Sequence, residues 1–142
     1  MISVRHVGVV VRDAEKSLFF YRDLLGFSVV NDQIEIGDSI ETFLGMKGAK
    51  VRTIKMRSDS GAMIELLNFI KPEGFGKPLG LYNFGCTHFA LTVDNLDSIY
   101  NILKSNGIKF VNPPSLSEDG YAKVSFCRDP DGTYIELVEE LL

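Results

Sequence analysis

The sequence predicts an α+β fold of two tandem β-α-β-β-β modules, which form a curved, barrel-like mixed sheet with the helices outside. Two observations predict this fold. A strand followed by a helix cap begins at His6 and recurs at His88, and a hairpin pattern at residues 57–67 recurs at residues 128–138. Self-similarity at a fixed spacing indicates that one structural unit is present twice.

Composition limits the classes of protein that the chain can represent. Its 142 residues suit one domain, and 45% hydrophobic against 24% charged residues provide enough apolar side chain to fill a core. The formal net charge of −4 comes without a basic block, which argues against nucleic-acid binding. We therefore expect a small molecule as the partner.

The sequence also predicts a cytoplasmic protein that does not cross a membrane. Its longest apolar runs, residues 7–11 and 24–30, fall far short of the roughly 20 residues that a spanning helix needs. The two cysteines, Cys86 and Cys127, have no spacing typical of a metal site or a disulfide framework. We therefore expect the protein to reside in a reducing compartment.

The first module begins with a strand at residues 6–11, followed by a helix. Ala14, Leu18 and Tyr21 form an apolar stripe at helical spacing on that helix. Glycine at position 26 stops the helix, and residues 26–30 return to an extended pattern. Between the second and third strands, residues 35–49 form an insertion. Its sequence predicts a short helix that begins at Asp38 as the cap and ends at a glycine. The insertion is either a lid or an ordinary surface loop.

The second module repeats this order. Leu96, Tyr100 and Leu103 form the corresponding helical stripe, and residues 107–111 the corresponding second strand. Each module ends in a hairpin whose turn contains glycine, with alternating strands on either side. The predicted organisation is one domain with module 1 at residues 1–70, a linker rich in glycine and proline at 71–85, and module 2 at 86–142.

The only two histidines of the chain occupy equivalent positions, at the start of the first strand of each module. His6 and His88 are matched by two carboxylates, Glu65 and Glu136, at equivalent positions in the last strands. Residues two apart in a strand share a face, so the apolar neighbours of each glutamate leave both carboxylates on the same face as the histidines. The duplication therefore groups these side chains as two His-Glu pairs.

Carboxylates that point into a concave protein surface need positive charge to balance them. Imidazoles and ionised carboxylates are good ligands for a divalent metal, and two glutamates would neutralise its 2+ charge while leaving coordination positions open. A lone strand histidine or glutamate is more often a solvent-edge or ion-paired residue. Four such residues at duplicated positions favour an open metal site instead.

The whole chain resembles the vicinal oxygen chelate superfamily of glyoxalases, bleomycin resistance proteins and dioxygenases. The motifs that carry the resemblance are residues 6–13, 20–27, 64–67, 88–90 and 129–137. With glutamate at position 65, the chain is most similar to the glyoxalase I and methylmalonyl-CoA epimerase branch. Ring-cleaving dioxygenases generally use two histidines and one glutamate, and bleomycin-resistance-type proteins usually lack the metal quartet.

The resemblance implies a divalent-metal-dependent lyase or isomerase that abstracts a proton α to a metal-chelated carbonyl, through an enolate intermediate. His6, Glu65, His88 and Glu136 would hold one divalent ion, which could be Zn, Ni, Co, Mn or Fe. The catalytic base would be Glu136 or Glu65, with a slight preference for Glu136. The alternatives are a metal-free antibiotic-binding protein of the bleomycin-resistance type and an Fe(II) extradiol dioxygenase.

A substrate with vicinal oxygens is implied, and three further residues are candidates for binding it. Arg52, Tyr121 and Lys123 lie on predicted strands near the expected cavity, although such residues are more often solvated strand residues. A homodimer is expected. The sequence leaves open whether the modules of one chain or of two chains complete the site.

Overall fold

The computed structural model describes all 142 residues, which divide into two compact units, Met1–Gly76 and Lys77–Leu142. Each unit contains one of the two modules that the sequence repeat predicts. The boundary between the units falls inside the segment expected to be the linker.

Unit 1 consists of a four-stranded mixed sheet and two helices. Strand β1 pairs in parallel with β4, the remaining pairs are antiparallel, and the strand order is β1-β4-β3-β2. In chain order, the elements are β1 (Val7–Val10), α1 (Ala14–Leu18) with a π-helical continuation (Phe19–Leu24), β2 (Ser28–Ile36), α2 (Asp38–Leu44), β3 (Lys50–Arg57) and β4 (Met63–Lys71).

Helix α1 begins where the sequence predicts it. The Asp13 side chain accepts hydrogen bonds from the backbone N–H groups of Glu15 and Lys16, at 3.0 and 3.2 Å. The predicted stripe of Ala14, Leu18 and Tyr21 is buried. The stripe packs α1 and its continuation against one face of the sheet.

The inserted helix α2 forms, but it begins differently from the prediction. Asp38 is its first residue rather than its cap, because Gly37 takes the cap position and no side chain bonds there. Gly45 ends the helix in the left-handed conformation, at φ +65°, as expected.

Unit 2 repeats the architecture with one helix. The sheet order β5-β8-β7-β6 matches that of unit 1, with β5 and β8 parallel. Its elements are β5 (His88–Thr92), α3 (Leu96–Ser105), β6 (Ser115–Leu116), β7 (Ala122–Arg128) and β8 (Tyr134–Glu140). The Asn95 side chain caps α3 by accepting the N–H of Ser98 at 2.9 Å.

The strand predicted at residues 107–111 is reduced to a single bridge between Phe110 and Cys127. Asn112 interrupts the ladder, because its side-chain oxygen accepts the backbone N–H of Phe126 at 3.5 Å, while its backbone oxygen accepts the hydroxyl of Ser125 at 2.6 Å. Two prolines follow at 113 and 114, and proline has no N–H to donate. Regular pairing resumes only in the two-residue strand β6.

The α+β class and the duplicated modules are confirmed. The strands form two four-stranded mixed sheets, one in each unit. No helix combines the length and apolar character that crossing a membrane requires.

Strand alternation places the candidate site in both units. Ile64 and Leu66 are buried on either side of Glu65, and Ile135 and Leu137 are buried on either side of Glu136. Since neighbours in a strand point to opposite faces, each glutamate lies on the face opposite to the core. We call this surface of each sheet the histidine face.

Candidate metal and substrate site

The first His-Glu pair lies on the histidine face of unit 1. Gly8 in β1 is in register with Glu65 in β4, and His6 lies two residues before Gly8 on the same face. The His6 Nε2 atom is 3.7 Å from Glu65 Oε1, and the two side chains are 30% and 14% exposed. Glycine at position 8 adds no side chain of its own there, and a Cβ atom at this position would lie 3.4 Å from Leu67 Cδ1.

The second pair repeats this arrangement in unit 2. Ala90 is in register with Glu136, and His88 Nε2 lies 3.2 Å from Glu136 Oε2. The other ring nitrogen of His88 lies 3.4 Å from the Thr87 hydroxyl. The Phe126 ring packs edge-on against the imidazole, with the centroids 5.0 Å apart. These contacts orient His88 with Nε2 toward the carboxylate.

The chemistry of both pairs suits a divalent metal ion. Two ligands held about 2.1 Å from one ion and about 90–110° apart lie about 3.0–3.4 Å from each other. The 3.2 Å separation of the second pair falls in this range, and the 3.7 Å separation of the first is slightly wider. No cluster of three or more His, Cys, Asp or Glu side chains suited to a metal is present, so each pair offers two ligands.

Of the three substrate-binding candidates, Arg52 is turned away from the first His-Glu pair. Its guanidinium donates to both carboxylate oxygens of Asp32, at 2.9 and 2.7 Å, and to Glu15 of helix α1 at 3.0 Å. Glu15 belongs to the helix, so Arg52 faces the helix side of the sheet. The expectation that Arg52 lines the cavity does not agree with this geometry.

Lys123 shows the same behaviour in unit 2. Its ammonium donates to Asp97 of helix α3 at 2.5 Å, and Ser125, the next residue on the same face, is buried in the core. Lys123 therefore also faces the helix side.

Tyr121, the third candidate, precedes β7, and 58% of this residue is exposed. The backbone oxygen of Tyr121 accepts the N–H of Leu141, and no hydrogen bond joins Tyr121 to His88 or Glu136 of its own unit.

The contacts of Arg52 and Lys123 are a duplicated feature of the fold. Arg52 and Lys123 occupy equivalent positions in the two modules, as do their partners Glu15 and Asp97 in the first helical turns. Each ion pair connects a helix to the third strand of its own module. The cations that the sequence offered for substrate binding thus have a structural role.

Sequence reasoning missed the residues next to the glutamates on the histidine face. Lys55 in β3 is directly in register with Glu65, and Phe126 in β7 is in register with Glu136. The hairpin motif contained the signal, because pairing Arg57 with Met63 across the turn fixes the register of Lys55.

Neither cysteine belongs to this site. Burial raises the pKa of the Cys127 thiol to about 12, and the charge of Asp129 acts in the same direction. Such a thiol stays protonated at neutral pH, and its register with the buried Ile135 places Cys127 on the core side of the sheet, on the face opposite to Glu136. Cys86 is exposed, and its sulfur lies 3.7 Å from the backbone oxygen of His88.

Replacing Arg52 by methionine is expected to lower the free energy of unfolding by up to about 1 kcal/mol at pH 7, the scale of a partly exposed ion pair. The Arg52 guanidinium lowers the pKa of Asp32, chiefly by hydrogen bonding. A carboxyl group whose pKa is lower in the folded than in the unfolded protein contributes stability above the unfolded pKa of about 3.9. This stability is lost as the pH falls through the pKa of the folded protein.

The difference between wild type and R52M should therefore shrink below about pH 4. Urea unfolding at pH 7 and pH 3 measures it, with the exposed Lys47→Met as a control of equal charge change. A difference that stays constant over this pH range would show that the lost packing of the Arg52 stem, not its charge, is responsible.

The fold agrees with the comparisons with known proteins. The chain belongs to the Glyoxalase/Bleomycin resistance protein/Dioxygenase superfamily, whose family model matches residues 3–137. Its fold is similar to that of a glyoxalase family protein from Bacillus cereus, with a TM-score of 0.92 at 20% identity, covering 100% of this chain and 96% of that chain.

Two relatives carry more specific names. A lactoylglutathione lyase from Schizosaccharomyces pombe is 31% identical over 146 residues, covering 96% of this chain and 47% of the relative. A probable lactoylglutathione lyase from Synechocystis sp. is 29% identical over 135 residues, covering 94% of this chain and 92% of the relative. The chain thus spans about half the length of the first and nearly all of the second.

Proposed function

We propose that this protein is a divalent-metal-dependent lyase or isomerase of the glyoxalase type, which moves a proton α to a carbonyl group of its substrate. The observation that carries the proposal is the pair of His-Glu contacts, 3.7 and 3.2 Å long, at duplicated positions. The names of the lactoylglutathione lyase relatives support the reaction class. A cytoplasmic location is part of the proposal.

Four side chains would hold the metal: His6, Glu65, His88 and Glu136. Each module supplies one imidazole and one carboxylate, so a full set requires both modules, from one chain or from two chains of a homodimer. When bound, such an ion, which could be Zn, Ni, Co, Mn or Fe, acts as a Lewis acid that polarises the carbonyl and acidifies the neighbouring C–H bond.

The proton itself would pass to a carboxylate. Positioned acid-base groups typically contribute about 10²- to 10⁴-fold to a rate. Glu136 is 24% exposed at its side chain and Glu65 is 14% exposed, so Glu136 is the more open to a substrate proton. The same carboxylate would return the proton to the neighbouring carbon or oxygen of the substrate.

Elemental analysis of protein purified without a metal-affinity tag tests the proposal first. We expect close to one divalent ion for each set of four ligands, and loss of this metal to a chelator. The substrate is then sought in a panel of hemithioacetals, acyl-CoA thioesters and catechols. Turnover of a hemithioacetal or thioester that stops on chelation supports the proposal.

Two results would contradict the proposed function. Ligand binding without metal or turnover would instead identify a binding protein of the bleomycin-resistance type. Oxygen consumption with a catechol would identify an extradiol dioxygenase. Calorimetry measures the ligand binding and an oxygen electrode measures the oxygen consumption, both on the same protein preparation.

A further inference from the structure

We infer that Lys55 binds an anionic group of the substrate, a carboxylate or phosphate that lies within a few bonds of the reacting carbonyl. The inference rests on the proposed function, because it takes Glu65 as part of the metal site. It specifies the substrate class of that site and adds a specificity-determining residue.

Lys55 in β3 and Glu65 in β4 are directly opposite in an antiparallel pair, on the histidine face. Side chains in such a pair have Cβ atoms about 4.5–5.5 Å apart. The ammonium group of Lys55 can therefore reach a substrate atom next to whatever Glu65 contacts, but not a group many bonds away.

The Lys55 side chain has no carboxylate partner within the protein. Lysine and glutamate directly opposite in a sheet usually attract each other, yet the Glu65 carboxylate lies toward His6 and no ion pair joins it to Lys55. Lys55 is half-buried rather than fully solvated. A half-buried ammonium without a carboxylate is suited to bind an anion supplied from outside.

Two other cations of the third strands differ from Lys55 in having carboxylate partners. Arg52 and Lys123, on the helix faces of the same third strands, both engage carboxylates of their own module. Arg57, two residues from Lys55 on the histidine face, contacts only the sulfur of Met63, at 3.9 Å. Unit 1 thus presents two cations without carboxylate partners beside Glu65, in a chain whose formal net charge is −4.

The duplicated module indicates that the lysine is not needed for the strand pairing. Phe126 occupies the position of Lys55 in unit 2, where its ring packs against His88. The same backbone register thus accepts an aromatic side chain or a cation. The charge at position 55 is therefore attributed to ligand recognition rather than to the sheet.

Two chelators with the same metal-binding group test the inference. Acetohydroxamate has no further charge, whereas malonic acid monohydroxamate carries a carboxylate one methylene group away. Calorimetry on metal-loaded protein is expected to show about tenfold tighter binding of the carboxylated compound, the scale of one charge-assisted contact. In Lys55→Gln the two compounds should bind about equally, with acetohydroxamate binding unchanged.

Matched variants separate charge recognition from structural effects. Lys55→Arg should retain the preference, and Arg57→Gln should weaken it less than Lys55→Gln because Arg57 is exposed. Lys50→Gln, at the other end of β3, removes the same charge and should change nothing. The melting temperature of each variant checks that it folds.

Metal content distinguishes the failure of this inference from the failure of the proposed function. Stoichiometric metal with a preference that survives in Lys55→Gln would overturn the role of Lys55 alone. Absence of metal from the wild-type protein, measured by elemental analysis, would overturn the proposed function and the inference that depends on it.

Discussion

Replacement of His88 by alanine is expected to lower metal affinity by more than about 100-fold, and turnover is expected to fall with metal occupancy. Removing an outer-shell partner of a metal ligand typically costs about 10- to 100-fold in affinity, and loss of a ligand should exceed that. The Nε2 atom of His88, 3.2 Å from Glu136, would supply one of four donors. Titration of the metal-stripped protein with Zn²⁺ or Co²⁺ measures the loss.

The repeat makes this expectation specific. His6→Ala should reproduce the loss seen with His88→Ala, because His6 holds the equivalent position beside Glu65. Thr87→Ala removes only the hydroxyl 3.4 Å from the second ring nitrogen of His88 and should weaken metal binding by about 10-fold or less. Glu140→Gln, exposed at the end of β8, provides a control that should leave affinity unchanged.

Stability offers an independent measurement of the same site. A metal that binds only the folded protein stabilises it by about 2.7 kcal/mol at a free concentration 100 times its dissociation constant. Chelation should therefore lower the melting temperature of the wild type but not of His88→Ala. Equal metal affinity in wild type, His6→Ala and His88→Ala would rule out the proposed ligand set.

The sequence predicted the two His-Glu pairs because their geometry depends on simple periodicity. Alternation of buried and exposed positions fixes the face of Glu65 once Ile64 and Leu66 are assigned to the core. Gly8 and Ala90 then identify the open side of the parallel strand pairs. These relations depend only on where the first and last strands of each module lie, and the sequence pattern shows those strands clearly.

Placing the substrate-binding candidates correctly required more information than the presence of a strand. Arg52 and Lys123 are on strands, as predicted, but only the register across the hairpins shows that they share a face with buried residues. Two of their carboxylate partners, Glu15 and Asp97, lie far away in the chain on helices whose packing the sequence does not specify, and the third, Asp32, lies on the neighbouring strand β2. The same register places Lys55 on the histidine face.

The shortened second strand of unit 2 has a different cause. An extended pattern at residues 107–111 is present, but the side-chain amide of Asn112 takes the hydrogen bonds with Val124 O and Phe126 N–H that a ladder would use. Local side-chain competition of this kind depends on the position of β7, which the pattern of a single segment cannot reveal.

The choice of the catalytic base leads to the second large effect. Glu136→Gln is expected to lower kcat by about 10²- to 10⁴-fold while metal stays bound. The amide keeps a carbonyl oxygen that can contact a cation, but it has no basic oxygen to accept the substrate proton. Glu65→Gln should lower kcat much less, since Glu65 is the more buried of the two carboxylates and would act mainly as a ligand.

Exchange of the α-proton with solvent deuterium, followed by NMR on the substrate that the panel identifies, separates proton abstraction from later steps. Loss of exchange in Glu136→Gln, with exchange retained in Glu65→Gln, would identify Glu136 as the base. The opposite result would assign the role to Glu65. Exchange that survives in both single variants and in the double variant, each with full metal content, would exclude a carboxylate base at these positions.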